Sequence, residues 1–339
     1  MKNPKVAIIV LNWNGWRDTI ECLESLTQMD YQDYQIIVVD NGSKDGSIEK
    51  IRQWAEGKLP VDGQYFKFNP SNKPISYAEL SSPIDPLLNK DSRLIIIKMK
   101  ENIGFARGNN VGIRFALSNL DCEYIMVLNN DTMVKQDFLP PLLEVFGKYP
   151  RIGLSGPKIL DYLTGEHRQG AIPDRIDIFI TIMFFTPLKI LFNRTPWVKK
   201  YLISDNKDKE VYGIAGCCML FKGRVLEEIG LFDETTFLGW EEYIIAEKLL
   251  KYGYLTFVVP KSIIYHKEAQ DTLRIEPVKK TTIFLKSEKY FQEHYLQMPH
   301  YQRSIIKIVR LFIYSIIVLF DPVFRKNYKR LYNAIIEKG

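Results

Sequence analysis

Residues 124–134 read YIMVLNNDTMV: a bulky apolar run, Tyr124 to Leu128, passes directly into Asn129, Asn130 and Asp131. Two readings fit. Asn and Asp are common turn formers. A carboxylate with flanking amides also suits a hard divalent cation, which prefers oxygen ligands. Similar polar clusters follow other apolar runs: Asn12, Trp13 and Asn14 after VAIIVL; Asp40, Asn41, Gly42 and Ser43 after YQIIVV; Asn102, Gly104, Arg107 and Asn109 after LIIIKM. Taken singly, each is ordinary turn or helix-capping chemistry. Glu241 and Glu242 suit the first turn of a helix by dipole alone. His266 closes the run SIIYH and, taken alone, reads as a hydrogen-bonded structural histidine.

The elements that would position these residues follow from periodicity. Continuous apolar runs alternate with amphipathic helical patterns, such as DTIECLESLTQM with Ile20, Leu23 and Leu26 on one face. That alternation predicts an α/β protein with a parallel sheet covered by helices on both faces. Ligands of such sheets bind beyond the carboxyl ends of the strands. The four polar clusters would therefore lie side by side along one edge. No P-loop and no dinucleotide-binding GxGxxG occurs. WEEYIIAEKLLKYGY predicts a helix with Gly253 just past its end, and LTFVVPKSIIYH predicts two short strands. Residues 57–92, with five prolines, predict a surface insertion of little regular structure.

Composition sets wider bounds. The 339 residues are 46% hydrophobic and 25% charged, as in ordinary globular chains. Four cysteines without a CxxC pair, and only four histidines, argue against a zinc site or a disulfide framework and favour a reducing cytosol. The apolar run Val6–Leu11 is too short for a signal-peptide core or a membrane span. From residue 301 onward, eight basic residues face two acidic ones, so this tail carries the chain's whole formal +6. Its uncharged stretch, Leu311–Phe320, suits a helix lying on an anionic membrane surface. The alternative is a helix packed on the main domain with a solvated basic face. Basic tails also bind nucleic acid, but no nucleic-acid partner is expected here.

The order of motifs is more specific than any one of them. VLNWNG at 10–15, VVDNGSKDGS at 38–47, NIGFARGNNVGI at 102–113, VLNNDT at 127–132, GIAGCCMLFKGRVLEEIGLFDE from 213, FLGWEEYIIAEKLLKYGY at 237–254 and IIYH at 263–266 stand in sequence. In this the chain resembles family 2 glycosyltransferases of the GT-A fold, especially their rhamnosyltransferase-like branch, over roughly residues 4–270. The resemblance implies a mostly parallel nucleotide-diphospho-sugar transferase sheet with flanking helices, spanning 1–270, and a helical, basic extension over 271–339. It implies an inverting transfer of a sugar, rhamnose among the candidates, from a nucleotide-diphosphate donor to a glycan or lipid-linked acceptor. Mg²⁺ or Mn²⁺ would be the cofactor. Carried over by position, Asp40 contacts the nucleobase, and Asn12, Asn14 and Asn110 line the nucleoside pocket. Asn129 and Asp131 hold metal and diphosphate with Asn130 between them, His266 completes the metal site, and Glu242 is the catalytic base. Three positions depart from the family pattern: Ile244 replaces a second acid, the base is Glu rather than Asp, and the metal motif opens with Asn. Those departures motivate a rival reading, a non-catalytic nucleotide- or glycan-binding scaffold. A sugar-phosphate nucleotidylyltransferase is disfavoured because LNWNGWRDT lacks a glycine-rich loop. The implied location is cytoplasmic, at the inner face of the cell membrane.

Overall fold

A computed structural model describes residues 3–83, 91–168, 170–172, 174–184, 207–267 and 276–336. The first half is built as the apolar runs predict. Strand β1 (Val6–Asn12) leads to helix α1 (Trp16–Leu26), β2 (Tyr34–Asp40) to α2 (Ser47–Ala55), then β3 (Tyr77–Leu80), β4 (Leu94–Lys98), α3 (Phe105–Asn119) and β5 (Tyr124–Asn129). β6 (Thr132–Val134), α4 (Leu139–Lys148), β7 (Ile152–Asp161), β8 (His167–Arg168), β9 (Ala171–Ile172) and α5 (Ile178–Phe184) follow. Next come β10 (Lys209–Val211), β11 (Gly213–Ile214), β12 (Cys218–Lys222), α6 (Gly223–Glu228), α7 (Glu241–Lys251) and β13 (Leu255–His266). Four helices end the chain: α8 (Pro277–His294), α9 (His300–Phe320), α10 (Pro322–Lys326) and α11 (Tyr328–Ile336).

The main sheet runs β10-β13-β7-β12-β5-β1-β2-β4-β3, with β6 on β13 and β8 on β7. From β3 to β5 neighbouring strands are parallel, whereas β12 runs antiparallel to both β5 and β7. Alternate residues of β1 feed two separate cores. Val6, Ile8 and Val10 face α1, α2 and α4, while Ala7 and Ile9 face α3, α6 and α7. Burial on both faces explains why the strand sequence is apolar without alternation. Helix α3 rides close on the sheet at Gly112, where an added Cβ would come within 2.6 Å of Ile9. That close approach is the packing reason for the glycines in ARGNNVGI.

Two sequence expectations change here. LTFVVPKSIIYH forms one twelve-residue strand, β13, rather than two. Its register shifts between Val259 and Ile263, where Pro260 has no N–H for the ladder, so the strand bends without ending. The 57–92 stretch also contributes to the sheet, because β3 adds to the edge beside β4; its residues 84–90 lie outside the described residues. Gly253 does follow helix α7, with φ +76, as a C′ glycine should. The expected boundary at 270/271 lies outside the described residues.

Part of the 57–92 stretch is pinned by a buried charge. Glu24 on α1 is fully buried and accepts from Lys73 Nζ at 2.8 Å, Trp54 Nε1 at 2.7 Å and the Asn69 backbone N–H at 3.0 Å. Lys73 Nζ also sits 4.3 Å over the Trp54 ring. Removing one partner of such a pair strands the other in a dry site. Glu24→Ala is therefore expected to lower stability by about 3–5 kcal/mol in urea denaturation; a loss below about 1 kcal/mol would mark the pair as solvent-relaxed.

Candidate active site

The polar strand ends meet as the strand pairing requires. Asn12 pairs with Asp40 across β1 and β2, and Leu11 with Asn129 across β1 and β5. A hydrogen-bonded chain then runs along this edge. Asn12 Nδ2 donates to Asp40 Oδ1 at 2.6 Å, Thr19 Oγ1 donates to Asn12 Oδ1 at 2.8 Å, and Asn130 Nδ2 donates to Thr19 Oγ1 at 3.0 Å. Asp40 Oδ2 also accepts from the Ser43 backbone at 3.1 Å. Asn14, in the left-handed region at φ +50, accepts from the Lys44 backbone at 2.7 Å and so ties the first two strand-end loops together.

Beside this edge lies a cleft of about 600 Å³. Its walls include Asn129, Asn130, Asp131, Glu242 and His266, together with Glu241, Arg168, Trp13, Phe105 and Phe284. Asn12, Asn14 and Asp40 are not among its lining residues; Asn12 and Asp40 are buried behind it and bonded to each other. Asn110, expected in a nucleoside pocket, is likewise not among the residues lining this cleft. Its side chain donates to Phe232 O and Glu234 Oε1, both at 2.9 Å, and accepts from the Phe232 backbone at 3.1 Å. With the amide filled on both ends, Asn110 fastens the 232–234 loop to α3.

Asp131 and His266 come together although 135 residues separate them. The cause is β6, which pairs antiparallel with the end of β13 and sets Thr132 opposite His266. His266 Nε2 then lies 3.1 Å from Asp131 Oδ1. Among the described residues no group of three or more His, Cys, Asp or Glu side chains gathers around a metal position. The pair offers one oxygen and one imidazole nitrogen, donors of a kind that could contribute to holding a divalent cation.

Glu241 and Glu242 are the first two residues of α7. The chain reaches them through Gly239 at φ +85 and Trp240 at φ +75, two successive left-handed residues. Trp240 is core rather than cleft, stacked on Phe291 of α8 at 5.3 Å. A bulky residue in that region costs about 1–3 kcal/mol, and the stack on α8 helps hold it. Burial pushes Glu241 up to about 8, with the neighbouring charge of Glu242 adding to the effect, and burial also raises Glu242. The helix N-terminus favours ionised carboxylates, so desolvation outweighs the dipole here. Glu241 Oε1 is buried without a hydrogen-bond partner. Ile244, where the family pattern has an acid, is buried among Trp240 and Phe291, so this position anchors α8 rather than facing the cleft.

Sequence reasoning missed three cleft residues. Arg168 comes from the two-residue strand β8 and donates through Nε to Asp161 at 2.7 Å; nothing local marks it. Phe284 comes from α8, beyond the last family motif, and contacts the backbone of Gly239, where an added Cβ would lie 2.7 Å from its ring. Glu241 carried a signal, its place beside Glu242, but its exposure to the cleft was not readable. Its raised value gives a sign for stability. The folded state keeps the proton that the unfolded chain loses near 4.5, so stability falls as pH rises from about 4.5 to about 8. Glu241→Gln is expected to flatten that fall and to raise the melting temperature relative to the native chain at the alkaline end. Parallel pH–stability curves for the two proteins would contradict it.

Comparison with known proteins accounts for the arrangement. The family model described as glycosyl transferase family 2 matches residues 7–70 and 76–230. An N-acetylglucosaminyl-diphospho-decaprenol L-rhamnosyltransferase of Mycobacterium tuberculosis is 26% identical over 159 residues, 45% of this chain and 49% of the relative. The match thus spans about half the length of that relative. Among solved structures, the mannosyltransferase PcManGT from Pyrobaculum calidifontis, in complex with GDP-Man and Mn²⁺, superposes with a TM-score of 0.52 at 15% identity, over 99% of this chain and 86% of its own. GalNAc-T7 with UDP, GalNAc and Mn²⁺ gives a TM-score of 0.57 at 15% identity, over 86% of this chain and 48% of its own. The mostly parallel sheet with flanking helices is the GT-A fold, and the chain belongs to glycosyl transferase family 2.

Proposed function

We propose that the protein is an inverting, metal-dependent glycosyltransferase that moves a hexose from a nucleotide-diphosphate donor to a glycan or lipid-linked acceptor in polysaccharide synthesis. The observation that carries this reading is the sharing of one cleft by two chemistries: the Asp131–His266 pair and the recessed carboxylate of Glu242. Rhamnose is the first donor sugar to test, and a diphospho-lipid the first acceptor, by analogy with the relative's name. The Mn²⁺ in both structural neighbours and the imidazole in the donor set favour Mn²⁺ over Mg²⁺.

The division of labour follows from charge. Breaking a glycosyl–phosphate bond builds negative charge on the leaving diphosphate. A divalent cation beside Asp131 and His266 would supply the charge that offsets it. Arg168 lines the same cleft, with its guanidinium paired to Asp161. The acceptor hydroxyl is a poor nucleophile until its proton is taken, and Glu242, which lines the cleft, would take it. A base lifted toward neutrality accepts that proton more readily than an exposed carboxylate does, and burial supplies the lift. Asp40, Asn12 and Asn14 support the strand ends on which the nucleoside would rest, with Asp40 toward the base. The enzyme would act at the cytoplasmic face of the cell membrane, where lipid-linked acceptors are held. Among the described residues no helix is long and apolar enough to cross a membrane.

The scaffold reading draws on Ile244 and the single metal carboxylate, and donor binding without turnover in the native chain would favour it. The direct test is transfer from a panel of sugar nucleotides with Mn²⁺, with Mg²⁺ and with a chelator. Glu242→Gln is expected to lower turnover about 10²–10⁴-fold while donor-induced thermal stabilisation persists. Asp131→Asn with His266→Ala is expected to abolish the metal-dependent part of that stabilisation. No turnover of the native protein with any sugar nucleotide would overturn the catalytic reading.

A further inference from the structure

Helix α9 has two apolar faces, and the described residues cover only one. Its buried side places Ile306 and Arg310 inward, with Leu311 and Tyr314 against Leu285 of α8 and Ala334 and Ile335 of α11. The opposite side carries Tyr301 (63% exposed), Ile305 (43%), Ile308 (66%), Phe312 (68%), Ile316 (43%) and Leu319 (65%). These positions recur every three or four residues and so form a single stripe. Phe320, at 82%, extends it at the helix end. On a water-facing helix this stripe would be polar, and a contiguous apolar patch of this kind marks an interaction site.

Charge decides what covers it. The stripe runs into α10 and α11, where Arg325, Lys326, Lys329 and Arg330 are all exposed. Arg325 is engaged with the carbonyls of Val318 and Leu319, and Arg330 is 3.9 Å from Glu276. The acid between stripe and cluster, Asp321, caps α10 by accepting from the Val323 and Phe324 backbones. An apolar stripe ending in a cationic cluster matches acyl chains beneath anionic headgroups.

We propose that the exposed face of α9 seats in an anionic lipid surface, with the basic residues of α10 and α11 on the headgroup phosphates, and that α8 joins this seat to the catalytic cleft. α8 has the contacts for both ends. Its buried Glu288 pairs with Arg310 of α9, its Phe291 stacks on Trp240, and its Phe284 stands in the cleft wall. A protein seated through α9 would hold the cleft at one fixed attitude to a lipid-linked acceptor. That last consequence rests on the glycosyltransferase reading; the lipid seat does not.

The test is flotation of the full chain with phosphatidylcholine vesicles, with and without phosphatidylglycerol. The native chain is expected to float with the anionic vesicles. Ile308→Ser/Phe312→Ser/Leu319→Ser is expected to bind at least about tenfold more weakly with unchanged melting temperature, since these side chains are exposed. Lys326→Gln/Lys329→Gln is expected to lose about fivefold per charge, less at high salt. With a lipid-linked acceptor, transfer by the triple-serine variant should fall while donor-induced stabilisation holds. Equal flotation of native and triple-serine proteins would overturn the proposal. So would a native dimer that ignores vesicles and becomes monomeric in that variant, which would assign the face to a second copy. Flotation of a chain that turns over no sugar nucleotide would uphold the seat and sink the glycosyltransferase reading alone.

Discussion

Three backbone pairings at the end of β13 hold the site together. β6 follows directly from the Asn129–Asn130–Asp131 turn and binds β13 through Val134–Ile264, Met133–Tyr265 and Thr132–His266. One ladder therefore brings a carboxylate from the middle of the chain to a histidine near the end of the sheet. Strand pairing has fixed spacing, so once the register is set the distance between the two side chains varies little. A slip of one residue would turn His266 to the opposite face. The bend at Val259–Ile263 allows a single strand to pair with β7 along its length and still reach β6 at its tip.

A second constraint works through dryness. The N-terminus of α7 presents two carboxylates to a recessed cleft, and burial outweighs the helix dipole in setting their protonation. The backbone reaches this position through two left-handed residues, one of them Trp240. Strain of that kind persists where surrounding structure over-determines it, and α8 provides that structure by stacking Phe291 on Trp240 and Phe284 on Gly239. Replacement of the family's second acid by Ile244 fits the same design, because that side chain lies in the apolar contact holding α8 in place. The helical extension is thus part of the cleft's architecture as well as a surface appendage.

How much of this was legible varied with the physics involved. The parallel half of the sheet was readable because strands buried on both faces must be continuously apolar, and the intervening helices carry a 3.6-residue period. The four polar strand ends were readable as a group for the same reason: each follows an unmistakable strand. The partners of Asn110 were not legible, because sequence order says which helix carries a residue, not which way its amide turns; its bonds to Phe232 and Glu234 depend on a loop 122 residues away. Arg168 and Phe284 sit on elements with weak local signals, a two-residue strand and a helix outside the family motifs.

The sequence by itself determined the class of fold, the family and the residue types at the strand ends, because these follow from local periodicity and ordered motifs. It also determined that the last forty or so residues are apolar and basic together. Only the tertiary structure decided which of those residues share a cleft, that Glu241 is buried beside Glu242, and that the described residues leave one apolar face of α9 uncovered. Those are relations between segments far apart in the chain. They are set by strand register, by how α8 packs on the start of α7, and by what is left for α9 to pack against, none of which is written in any single stretch of residues.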